Sequence, residues 1–198
     1  MTAVIAWAQV KSGVFGSLHD IDGHGCKSCH ASHNGSVAVP PGTDQATGEL
    51  LLWDRSLSNV TFGAYDSLTM DRKPVEVGGL PLLRTEPRMY TLLCMSCHDG
   101  VTTPAVIMAP SAKVGSPSGS DGLRNDHPVN VYWNHQTLAG GLPPCANCHI
   151  LHGRGQRALP FYGQYMQCAT CHDPHTQVSE KFLRITNRDS SICRYCHG

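Results

Sequence analysis

Residues 145–152 read Cys145-Ala146-Asn147-Cys148-His149-Ile150-Leu151-His152, and residues 168–175 read Cys168-Ala169-Thr170-Cys171-His172-Asp173-Pro174-His175. Each is C-x-x-C-H with a second histidine three positions after the first. The same octet occurs at Cys26-Lys-Ser-Cys29-His30-Ala-Ser-His33, and shorter forms stand at Cys94-Met-Ser-Cys97-His98 and Cys193-Arg-Tyr-Cys196-His197.

All ten cysteines fall into these five pairs, and each pair is followed at once by histidine. Disulfides would account for an even count but not for the histidines. Zinc knuckles use C-x-x-C, but usually two knuckles share one metal and no adjoining histidine is required. With 12 histidines in 198 residues, five hits out of five by chance have odds of about one in a million. The pattern is the attachment signature of c-type haem. Cys26, Cys29, Cys94, Cys97, Cys145, Cys148, Cys168, Cys171, Cys193 and Cys196 would carry the thioethers. His30, His98, His149, His172 and His197 would be the proximal iron ligands.

Five haems on 198 residues is one per about forty, so porphyrin would supply much of the apolar core. Charged residues make up 15% of the chain and aromatics 7%, with 20 Gly and 13 Pro. The expected fold is loop-rich with short helices and little regular secondary structure, built around stacked haems. The expected organisation is one pentahaem domain over 11–198, looser over 11–125 and haem-dense over 126–198. The segment 34–48 reads as a surface loop, and 110–122, rich in Ser, Gly and Pro, as the most linker-like stretch. Leu50–Trp53 and Val60–Tyr65 are short apolar runs whose periodicity suits either strands or haem-packing segments. Thr85 as N-cap and Pro87 in the first turn predict a short helix leading into Cys94. Asp189-Ser-Ser-Ile-Cys193 reads as the start of another.

Five irons with histidine on both faces need five distal ligands, and seven histidines lie outside the motifs. A histidine three residues beyond a proximal ligand would have to pass around its own porphyrin, so it is better placed for a neighbouring iron. His33, His152 and His175 are expected to act in this way. His19 and His127 are expected to complete the set, with His24 and His135 in reserve. Methionine is the other axial ligand to weigh, but histidine is abundant enough to serve every iron. Full bis-histidine ligation leaves no open position, so the expectation is electron transfer and not catalysis at iron.

The formal charge is zero, with 15 basic and 15 acidic side chains. No basic tract points to nucleic acid, and no apolar run is long enough to span a bilayer. Ten of the bases are arginine, suited to forked pairing with haem propionates. Thioether attachment happens outside the bacterial or archaeal cytoplasm, so the protein is expected to be exported, to the cell surface or beyond, with the periplasm as the alternative. Residues 1–10 read as the remnant of a secretion signal.

Leu-His19-Asp, the octets at 26–33 and 168–175, Cys94-Met-Ser-Cys97-His98-Asp-Gly and Asp126-His127-Pro-Val resemble the multihaem cytochromes with doubled C-x-x-C-H motifs, over roughly residues 17–198. Some similar proteins polymerise into extracellular conductive filaments. There, the third-position histidine after the first motif ligates the last haem of the next subunit. The resemblance implies self-association through His33, with redox proteins or extracellular acceptors as further partners. A monomeric carrier and an electron-supplying subunit of a haem oxidoreductase are the alternatives.

Overall fold

A computed structural model describes residues 13–39, 46–60, 62, 65, 67–68, 89–100, 102–103, 123–124, 126–131, 159–160, 165–177 and 179–197. Its regular structure is sparse. Four α-helices are described: α1 (Thr47–Leu51), α2 (Met89–His98), α3 (Cys168–Cys171) and α4 (Ser191–His197). Short 3-10 turns occupy Ile21–Gly23, Gly25–Ser28, Glu180–Phe182 and Arg188–Ser190. Extended pairing among the described residues includes isolated antiparallel bridges, His30 with Trp53 and His172 with Leu183. The loop-rich architecture expected from composition is what the chain adopts.

The helix expected before Cys94 is present as α2, while Thr85 and Pro87 lie outside the described residues. The turn at Arg188–Ser190 leads directly into α4, as the run before Cys193 suggests. Leu50 and Leu51 close α1, and Trp53 is bridged to His30, so this apolar run is part helix and part pairing segment. The expected surface loop ends in buried structure. Thr47 and Gly48 are buried, and a Cβ on Gly48 would stand 2.5 Å from the Gly35 carbonyl carbon. The absence of side chains lets the two backbones touch. Residues 110–122 lie outside the described residues.

The apolar core gathers on α2. Leu92, Leu93 and Met95 pack with Phe62 and Leu123, flanked by Leu50, Leu51, Trp53, Leu57, Val60, Tyr90 and Val129. Each fully buried side chain of this size contributes about 1.5–3 kcal/mol. A polar seam joins α2 to α3. The Thr91 N–H, in the first turn of α2, donates to Gln167 Oε1 at 3.1 Å, and the Thr91 hydroxyl reaches the same oxygen. Gln167 thus accepts one of the amide protons that a helix start leaves unpaired. The Gln167 N–H in turn donates to Thr170 Oγ1 at 2.9 Å.

The start of the described chain lies against its C-terminal part. The Gly13 N–H donates to the His175 carbonyl at 3.2 Å, and Gln177 Nε2 donates to the Gly13 carbonyl at 2.8 Å. A Cβ on Gly13 would sit 2.4 Å from Thr176 Cα. This contact carries His19 to the neighbourhood of the second and fourth motifs.

Candidate haem-attachment sites

The first and fourth motifs are held by the same device. In the first, the Ala31 N–H donates to Leu52 O at 2.8 Å and the Asp54 N–H to Cys29 O at 2.9 Å. In the fourth, the Asp173 N–H donates to Phe182 O and the Arg184 N–H to Cys171 O, both at 2.8 Å. The returning residue takes the left-handed conformation in both, Leu52 at φ 55° and Phe182 at φ 57°. Such a conformation costs about 1–2 kcal/mol in a non-glycine residue, so the surrounding bonds must hold it. An arginine closes each clasp, Arg55 Nε donating to Ser28 O at 2.7 Å and Arg184 Nε to Ala169 O at 2.8 Å.

The clasp settles how each proximal histidine is presented. His30 Nδ1 lies 2.8 Å from Leu51 O, and His172 Nδ1 lies 2.9 Å from Lys181 O. A carbonyl only accepts, so Nδ1 carries the proton and Nε2 keeps its lone pair, as a metal ligand would need. These residues fit a haem. Cysteines of different motifs adjoin as well. The thiols of Cys94 and Cys168 are hydrogen-bonded to one another, and that contact together with burial pushes the Cys94 thiol up.

Two pairs of imidazoles lie close together, each pair including the histidine of a C-x-x-C-H motif. The rings of His30 and His175 are 6.1 Å apart and 19° from parallel. Those of His19 and His98 are 6.0 Å apart at 77°. At these separations the two rings of either pair would hold one haem iron between them.

His175 Nδ1 is 3.2 Å from Asp173 Oδ1, which again leaves Nε2 with its lone pair. His19 is displaced to a pKa of about 4 by burial first, then by His98, His172 and His175. Its neutral form is therefore the one the fold selects, at a stability that is lost as pH falls from the ordinary histidine range toward that value. The His19 Nδ1 is buried without a hydrogen-bond partner, and Phe182 covers the ring at 4.3 Å.

His33 is exposed, with Asn34 Nδ2 at 3.1 Å from its Nδ1. His127 is exposed with Nδ1 turned to Pro128 O at 3.1 Å, and His24 is exposed between two 3-10 turns. Among the described residues, no ring pairing joins His24 or His33 to the histidine of a C-x-x-C-H motif. Cys145, Cys148, His149, His152 and His135 lie outside the described residues, as do the side chains of Cys196 and His197, whose backbone closes α4.

The clasps were not foreseeable from the motifs. Leu51-Leu-Trp53-Asp and Lys181-Phe-Leu183-Arg share no motif, and they return 21 and 9 residues after their histidines. The buried aspartate directly after His98 and His172 was the available signal. Asp99 accepts from Ser58 Oγ at 2.7 Å and from the Thr102 N–H at 2.8 Å.

Residues 160–198 match the doubled CXXCH motif family. No curated protein matches the chain. The matched motifs indicate covalently bound haem c, and the chain has the character of a haem-binding c-type cytochrome. No described helix is long and apolar enough to cross a membrane.

Proposed function

We propose that the protein is a pentahaem cytochrome that passes electrons along a chain of bis-histidine haems, as the subunit of an extracellular conductive filament. When bound, haem supplies one-electron chemistry at iron. The protein's residues anchor, orient and shield it. The observation that carries this reading is the facing of His30 by His175 at 6.1 Å. An imidazole after the fourth motif stands at ligating distance from the proximal imidazole of the first, as a wired chain requires. Adjoining cysteines of the second and fourth motifs support close succession of attachment sites.

His19 opposite His98 provides the second in-chain pair. His33, His127 and His152 are the ligands proposed for the other irons, with His24 and His135 in reserve. None of the five motifs departs from C-x-x-C-H, which supports a carrier and not an enzyme. Thioether attachment supports export.

Assembly is proposed to run through His33, which is exposed on the first motif while its counterpart His175 is engaged within the chain. The test is the native holoprotein against His33→Ala, by gel filtration and electron microscopy. The reading expects filaments from the native chain and discrete haem-loaded monomers from the variant. Filaments of normal length from the variant contradict assembly through His33. A discrete monomer from the native chain contradicts the filament and supports a monomeric carrier. Intact mass with five haems is expected in every arm, and fewer would contradict the pentahaem count.

A further inference from the structure

His30 and His175 face each other, yet the two rings are held by chemically different partners. His30 Nδ1 donates to a neutral backbone carbonyl, Leu51 O. His175 Nδ1 donates to the carboxylate of Asp173, whose side chain is only 9% exposed. The His175 N–H reaches the same oxygen at 3.0 Å. The other carboxylate oxygen is 3.2 Å from Arg184 Nη1. Asp173 is therefore bound from both sides and cannot turn away from the imidazole.

A carboxylate acceptor draws the Nδ1 proton more strongly than a carbonyl does and makes the opposite nitrogen a stronger donor to metal. Stronger donation favours ferric over ferrous iron. We infer that Asp173 is a positioning residue that sets the reduction potential of the haem between His30 and His175, making it lower than that of a haem whose ligands both donate to carbonyls. Arg184 opposes this effect by sharing the charge. The inference rests on the bis-histidine reading above. The corresponding residue of the first octet is Ala31, so His33 has no such partner, and the two otherwise similar octets deliver ligands of different strength. Asp173 lies in the fourth motif and acts on the haem anchored by the first.

The test is an optically monitored redox titration of the holoprotein beside Asp173→Asn, Arg184→Gln and His175→Ala. Asp173→Asn should stay low-spin and raise one component by about tenfold in its reduction equilibrium, 59 mV for a single electron. Arg184→Gln should move the same component downward. A titration of Asp173→Asn that superimposes on that of the parent overturns the inference. If that variant yields no holoprotein, Arg184→Gln decides, and an unchanged curve overturns it. His175→Ala separates the two layers. Spectra that stay wholly low-spin there remove His175 as a ligand, and with it both the pairing and this inference. A new high-spin component with unchanged potentials in the other two variants removes the inference alone.

Discussion

The imidazoles of His30 and His175 stand 6.1 Å apart, 19° from parallel, although 145 residues separate them. One follows the first attachment pair and the other trails the fourth. A backbone bond from Gly13 to His175 and the Asp173 carboxylate keep the second ring in place. The relationship brings the first and fourth motifs together in space.

His19 and His98 make an equivalent pair at 6.0 Å. Replacing His19 by alanine should open the iron anchored at Cys94 and Cys97 and leave the others six-coordinate. A carbon monoxide difference spectrum of the reduced variant checks this, with one binding haem expected and none in the parent.

Gln167 Oε1 is the acceptor for the Thr91 N–H, and both residues are buried. Gln167→Leu should leave that amide unsatisfied at a cost of about 1–3 kcal/mol. A lower midpoint in chemical denaturation with an unchanged slope is the expected result.

Leu52 is held at φ 55° and is half exposed, so its side chain matters less than its backbone. Leu52→Val should cost about 1–2 kcal/mol, since branching at Cβ adds to the left-handed penalty. Leu52→Asn should be close to neutral, because asparagine tolerates this region. Thermal unfolding of the two variants side by side checks the contrast.

Gly13 lies where a Cβ would be 2.4 Å from Thr176 Cα, against backbone that cannot yield cheaply. Gly13→Ala should detach the segment leading to His19. Faster hydrogen exchange over residues 13–20, with the amides of α2 still protected, is the expected pattern.

Much of the site was legible because thioether attachment needs a rigid local spacing, and Cys168-Ala-Thr-Cys171-His172 announces itself in five residues. The sparse regular structure followed from the same count, since porphyrin relieves the chain of building a full core. What sequence could not supply was partnership at a distance. Nothing in Leu51 or Lys181 marks the carbonyl that takes a histidine proton, because any residue type offers one. His19 and His127 look alike as lone histidines, yet one is half-buried beside His98 and the other is exposed. The difference comes from the Gly13 contact, a close approach that a single glycine permits without advertising it.

The central claim is that an imidazole from the fourth motif completes the iron site of the first. Electron paramagnetic resonance of oxidised His175→Ala holoprotein tests it most directly. The account predicts one new high-spin ferric signal, the loss of one low-spin component, and an intact mass that still includes every haem of the parent. A spectrum identical to the parent's, wholly low-spin, would contradict it.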